Sequence, residues 1–145
     1  MSDQVIHNLS RLLADSYSLY LKTQNFHWNV TGPQFIALHN LFEEQYTELA
    51  AAVDEIAERI RALGARAPGS YSAFAELTSL EESPNDLPAD QMIATLRDDN
   101  RALARTANAV LDAADENGDD VSVDLATQRQ TVHEKSAWML AALLQ

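Results

Sequence analysis

The chain contains no cysteine among its 145 residues. Disulfides, iron–sulfur clusters and thiolate zinc sites are therefore excluded, and the absence agrees with a compartment where disulfides have no use. No apolar run approaches the roughly 20 residues that a transmembrane helix needs, and the opening MSDQVIHNLS lacks the basic flank and apolar stretch of a signal peptide. We expect a cytoplasmic protein with no membrane segment.

Positive charge is also scarce. The sequence has 10 lysines and arginines against 22 aspartates and glutamates, a net charge of −12, which opposes binding to a phosphate polyanion. The first ten residues carry no Lys or Arg and nothing basic follows Lys135, so we expect no basic tail at either end. Binding to DNA is therefore doubtful, with bridging by magnesium ions as the route left open.

Helical periodicity dominates the pattern of apolar residues, and we find little evidence for strands. Four long helices and a short one are predicted, at about residues 4–30, 33–64, 73–77, 89–116 and 122–144. Thr31-Gly32-Pro33 ends the first helix, and Gly64 ends the second. On the last helix, Trp138 and Met139 are predicted to lie in the core.

The connection over residues 65–88 is long for a bundle loop and contains the short helix. A connection of this length lets the second and third long helices run parallel. The hydrophobic fraction of 46% is enough for one core. The sequence thus predicts an all-α, four-helix bundle with a short extra helix, forming one domain over residues 1–145.

The segment NFHWNVTGPQFIALHNLFEEQYTELAAAVDEIAERIRALG contains five candidate metal ligands: His27, His39, Glu43, Asp54 and Glu58. His39 and Glu43 are four residues apart, so they lie on one face of a helix. Asp54 and Glu58 have the same spacing. Imidazoles with carboxylates form a nitrogen and oxygen ligand set, which suits iron, manganese or zinc.

The rise of a helix separates these two pairs. From His39 to Asp54 it amounts to about 22 Å at 1.5 Å per residue, so the pairs cannot bind one metal within one copy. If two copies of the helix pack antiparallel about a twofold axis near residues 45–48, the His39 and Glu43 end of one meets the Asp54 and Glu58 end of the other. Two equivalent sites shared between subunits follow, through the isologous contact that is commonest in homo-oligomers.

These residues resemble a known family, the Dps mini-ferritins, named as DNA-binding proteins from starved cells. The resemblance extends over essentially the whole chain, through KTQNFHWNVTGP, LHNLFEEQY, DEIAERIRALG and HEKSAWML. In that family the ferroxidase centre lies at a dimer interface, where one subunit gives two histidines and a carboxylate and its mate gives two carboxylates. The matching positions are His27, His39 and Glu43, then Asp54 and Glu58.

The resemblance implies a ferroxidase that oxidises Fe(II), preferably with hydrogen peroxide, at a dinuclear iron site shared between subunits. It implies a shell of twelve subunits, built from dimers, that stores ferric mineral. It also implies that the start of the last helix lines an iron-entry pore, with Asp119 and Asp124 as candidates. A DNA-compacting stress protein with secondary ferroxidase activity is the alternative, and a purely structural helical assembly is the third possibility.

Each candidate residue also has a structural interpretation. Taken singly, His27 and His39 are typical of helix histidines with satisfied hydrogen bonds, and the three carboxylates are typical of solvated charges. Glu58 could then pair with Arg59 or Arg61. Trp28 is predicted to pack near the site, with a role as guard against oxidants left open. The remaining histidines, His7 and His133, are predicted to be surface or packing residues, and we assign them no role.

Overall fold

The computed structural model describes residues 2–145, which contain five α-helices and no strand. The helices are α1 (Ser2–Asn29), α2 (Phe35–Ala62), α3 (Tyr71–Leu77), α4 (Ala89–Glu116) and α5 (Asp120–Ala142). All five predicted helices are therefore present. The short helix begins two residues earlier than predicted because Ser70 caps it, accepting a hydrogen bond from the Ala73 backbone. None of these helices combines the length and apolarity that crossing a bilayer requires.

Two hydrophobic clusters establish the direction of each helix. The first joins the beginning of α1, the end of α2, the end of α4 and the beginning of α5, as in Leu9, Ile60, Val110 and Ala126. The second joins the opposite ends, as in Phe26, Phe42, Leu96 and Leu140. Therefore α1 and α2 form one antiparallel pair and α4 and α5 another. The predicted four-helix bundle, with α2 parallel to α4, is confirmed.

The prediction that Trp138 and Met139 lie in the core is wrong. Trp138 is 68% exposed and Met139 is 37% exposed. The buried stripe of α5 consists mostly of small and polar residues, namely Ser122, Ala126, Arg129, His133, Ala137 and Leu140. Apolar side chains were a misleading guide to the buried face of this helix, because that face contains polar side chains that are satisfied by hydrogen bonds.

A fully buried carboxylate fastens the long connection to the bundle. Asp15 on α1 accepts hydrogen bonds from the Thr78 hydroxyl at 2.7 Å, from the Ser79 backbone at 2.7 Å and from the Ser79 hydroxyl at 2.8 Å. It also accepts one from the Thr106 hydroxyl of α4 at 2.7 Å. One side chain thus joins α1, the connection and α4.

A second buried network surrounds His133. Its Nε2 lies 3.0 Å from Nη2 of Arg129, which can only donate, so Nδ1 carries the proton and donates to Asn100 Oδ1 at 2.8 Å. Arg129 also donates to both carboxylate oxygens of Glu48 on α2. Burial, and secondarily the Arg129 charge, lower the pKa of His133 to about 3. His133 is therefore neutral near pH 7, and the network connects α2, α4 and α5.

Replacing Asp15 by alanine should lower the free energy of unfolding by about 3 kcal/mol or more, because it leaves several buried donors without an acceptor. Urea denaturation at fixed protein concentration measures the change. Asp86→Ala, in an exposed turn of the same connection, is the matched control and should stay within about 0.5 kcal/mol of the parent. Equal stabilities for the two variants would contradict the anchoring role.

Lowering the pH from 7 to 5 should cost about 2 kcal/mol of stability through His133 alone. The unfolded chain takes up a proton near the ordinary pKa of 6.5, whereas the folded chain excludes it until about pH 3. The stability that His133 contributes is therefore fully present above its pKa in the unfolded chain, 6.5, and is lost as the pH falls toward about 3. His133→Gln should remove this component, whereas His7→Gln, at an exposed position, should keep it. If the free energy of unfolding changed with pH in the same way in the parent and in His133→Gln, His133 would not be the source of this pH dependence.

Candidate metal centre

Three of the five predicted ligands lie together at the junction of α1 and α2. His27 is in the last turn of α1, and His39 and Glu43 are in the first turns of α2. The short turn between the helices contains Gly32, whose φ of 109° is one that other residues rarely adopt. One ligand atom from each of the three side chains lies within 4.8 Å of the other two, and no other such cluster occurs within residues 2–145.

The two histidines hold each other through reciprocal hydrogen bonds. Nδ1 of His27 donates to the carbonyl of His39 at 2.7 Å, and Nδ1 of His39 donates to the carbonyl of His27 at 2.8 Å. A carbonyl only accepts, so both rings carry their proton on Nδ1. The lone pair of each Nε2 is therefore available to a metal. Hydrogen bonding of the second ring nitrogen is how metal-ligating histidines are commonly oriented.

The surroundings fix the rings further. The imidazoles stack with centroids 3.8 Å apart and 15° between their planes, and Phe35 stacks on His39 at 5.1 Å. Tyr46 meets His27 edge-on at 5.2 Å. Nε2 of His27 lies 3.9 Å from Oε1 of Glu43. Because His27 is buried and Glu43 is exposed, the cluster opens at the protein surface. Its ligands fit a divalent cation and leave coordination positions free.

Asp54 and Glu58 are exposed on α2 and do not join this cluster. Neither arginine considered as a partner binds Glu58. Arg59 instead forms an ion pair with Asp119 at 2.7 Å, and Arg61 donates to the carbonyl of Ala65 at 3.0 Å. One chain therefore brings three of the predicted ligands together and presents, further along the same helix, two carboxylates without an ion-pair partner in the described residues.

The candidate pore residues have different environments. Asp119 caps α5, accepting from the Ser122 backbone at 3.1 Å. Burial tends to raise the pKa of Asp119, but hydrogen bonds from Ser122 and the Arg59 charge outweigh it and hold the pKa below its usual range. Asp124 is exposed and accepts from Gln128 at 2.9 Å. Of the two, Asp124 has the more available charge. Trp28, predicted to pack near the site, is 60% exposed.

Two aromatic residues beside the histidines had no role at the metal site in the sequence interpretation, which expected Phe35 to face the core; Phe35 is 36% exposed. Phe35 precedes His39 by four residues and Tyr46 follows Glu43 by three, so helical spacing alone places each beside a ligand. Their spacing was thus a usable signal. The edge contact of Tyr46 with His27 required the turn at Gly32, which brings α1 against α2, whereas Phe35 stacks on His39 within α2 itself.

Known proteins resemble this chain over nearly its full length. A family model described as a ferritin-like domain matches residues 6–145. DNA protection during starvation protein 2 of Bacillus anthracis is 38% identical over 144 residues, covering 99% of each chain. The crystal structure of a Dps protein from Bacillus brevis superposes with a TM-score of 0.96 at 35% identity, covering 100% of this chain and 99% of that one.

A Vibrio cholerae O1 Dps structure has a TM-score of 0.95 at 33% identity, covering 99% of this chain and 91% of that one. That protein is described as a member of a broad superfamily of ferritin-like diiron-carboxylate proteins. The likeness therefore extends from sequence to backbone.

Proposed function

The chain belongs to the ferritin-like Dps family, and we propose that it is a ferroxidase that oxidises Fe(II), preferably with hydrogen peroxide, and stores the ferric product as mineral. Iron is here the substrate and cargo. The proposal is supported by the nitrogen and oxygen ligand set of His27, His39 and Glu43, and by the diiron-carboxylate description of the Vibrio cholerae relative.

The observation that carries the proposal is the division of the ligands along α2. Glu43 lies with the two histidines, whereas Asp54 and Glu58 face solvent further along the helix, where Asp54 is about 22 Å from His39. Antiparallel packing of α2 against a second copy would bring the carboxylates of each chain to the histidines of the other. The dinuclear site would then be complete only in an assembly, for which we propose a cytoplasmic dodecamer built from such dimers.

In this site the protein supplies position and charge. The fixed Nε2 lone pairs and Glu43 bind iron from one chain, and Asp54 and Glu58 of a second copy neutralise the charge of two adjacent cations. Two Fe(II) ions each give one electron to peroxide, so H2O2, 2 Fe(II) and 2 H+ yield 2 Fe(III) and 2 H2O. No one-electron product of peroxide is released. Asp124, exposed at the start of α5, is proposed to attract entering cations, with the ion-paired Asp119 beside it.

DNA compaction is the second candidate, favoured by the name of the Bacillus anthracis relative. Charge argues against it, because the net charge of −12 is repeated in every copy. The arginines of α4 are also partly neutralised within the chain, since Asp98 pairs with Arg97 at 2.9 Å and lies 3.8 Å from Arg101. We therefore rank DNA binding below iron oxidation.

Mixing two inactive variants should restore Fe(II) oxidation if the site is shared. In a dimer of one His39→Ala chain with one Glu58→Ala chain, one site carries both substitutions and the other carries neither. Random pairing makes half of the dimers hybrids, so roughly a quarter of the sites should recover. Fe(III) formation after co-refolding is the measurement, and tagged chains verify that hybrids form.

The matched control mixes His39→Ala with His27→Ala chains. Both substitutions then lie in the histidine half, so every site remains damaged and no recovery is expected. Recovery in this control, or its absence from the His39→Ala and Glu58→Ala mixture, would exclude the shared site.

The assembled protein should not retain plasmid DNA in a gel shift at low salt when a chelator removes divalent cations. Repulsion between the acidic surface and phosphate is strongest under these conditions, because salt does not screen it. Adding magnesium tests for bridging. Retention of DNA at micromolar protein with the chelator present would place DNA compaction first.

A further inference from the structure

A buried guanidinium lies between two side chains of the kinds that bind metals. Nη2 of Arg129 on α5 lies 3.0 Å from Oε1 of Glu48 on α2 and 3.0 Å from Nε2 of His133 on α5. Nη1 of Arg129 donates to the second carboxylate oxygen of Glu48. A cation that belongs to the chain itself thus occupies the position between a carboxylate and an imidazole.

His133 is oriented in the way that metal-binding histidines commonly are. Its Nδ1 donates to Asn100 at 2.8 Å, so the lone pair of Nε2 is the one that accepts from Arg129. Burial, and secondarily the Arg129 charge, lower the pKa of His133 and keep its imidazole neutral near pH 7. A neutral imidazole can bind a metal without first releasing a proton.

A cavity of about 280 Å³ provides room beside this group. Glu48 and His133 line it, and so does Glu44, one turn before Glu48 on α2. Because bonds from a metal to Glu or His are about 2.0–2.2 Å long, a cation in place of Nη2 requires each ligand atom to approach by about 1 Å. The Glu48 side chain is 42% exposed and can make this movement, whereas His133 is fully buried and fixed.

Stability alone does not explain a guanidinium at this position. Arg129 is only 5% exposed, and its Nε has no hydrogen-bond partner within residues 2–145. Removing a charge from water is costly, and apolar residues of similar volume often stabilise a core as well as a buried ion pair does. A fixed positive charge does one thing that an apolar side chain cannot do, which is to keep other cations out.

We propose that Glu48 and His133 form a latent metal site inside the bundle, and that Arg129 closes it by holding a positive charge where the metal would bind. The ligands come from facing helices, as they do in other helical bundles, and they suit iron, manganese or zinc. Arg129 is thereby a specificity-determining residue that confines metal binding to the cluster at the junction of α1 and α2. This inference goes beyond the proposed ferroxidase function and does not rest on it.

The test measures Co(II) binding to assembled, full-length protein near pH 7, by equilibrium dialysis and by the visible absorption of the bound ion. Arg129→Met removes the charge but keeps much of the side-chain volume, so it should bind one more Co(II) per chain than the parent. Arg129→Lys retains a cation and should bind no more than the parent. Arg105→Met, at an exposed position of α4, is the matched control and should also equal the parent.

A second substitution identifies the ligands of the additional Co(II). Combining His133→Gln with Arg129→Met should abolish the additional ion and its absorption bands. Combining His39→Ala with Arg129→Met should instead weaken binding at the candidate metal centre and leave the additional ion in place. A purely structural role of Arg129 predicts no such dependence on His133, because it changes stability and not the number of bound metals.

Each outcome decides the proposal. If Arg129→Met folds and binds no more Co(II) than the parent, or if the additional ion persists without His133, there is no latent site and Arg129 only links α2 to α5. If Arg129→Met does not fold, refolding with Co(II) should restore it, because the metal replaces the missing charge; failure both with and without Co(II) would overturn the proposal. A parent that does not oxidise Fe(II) would refute the ferroxidase function alone, because Co(II) binding involves no oxidation.

Discussion

The candidate centre depends on two hydrogen bonds that cross between the ends of α1 and α2. Each of His27 and His39 gives its Nδ1 proton to the other's backbone carbonyl. The His27 carbonyl lies in the last turn of α1, where helix carbonyls lack intrahelical partners. One arrangement therefore satisfies a helix end, fixes both imidazole tautomers and leaves both Nε2 lone pairs available to a metal. Glu43, one turn after His39, then needs only helical spacing to reach them.

Much of the fold could be predicted from the sequence because the main signals are local. The 3.6-residue period identified the helices, and Gly32 and Gly64 identified the ends of α1 and α2. The clustering of His27, His39 and Glu43 was also predicted and is observed. The role of Asp54 and Glu58 remains a prediction, because it concerns contacts between copies of the chain.

Buried polar groups were beyond the reach of sequence patterns. Asp15 looks like any helix aspartate until Thr78 and Ser79, more than sixty residues later, donate to it. Lys22 is likewise buried, and it donates to Asp99 at 2.8 Å; burial raises the pKa of Asp99 despite that partner. The hydrogen-bond partners of such groups are distant in the sequence, so no local sequence pattern indicates that these groups are buried. The same reason explains why the prediction of which face of α5 lies in the core was wrong.

The short separation of the two histidines has a consequence for the order in which the molecule is made. His27 and His39 are twelve residues apart along the chain, so closing their contact costs little loop entropy. Since α1 and α2 precede α4 and α5, they leave the ribosome first. The paired imidazoles can therefore form before α4 and α5 are synthesised, whereas the Asp15 and His133 networks need residues that are synthesised later.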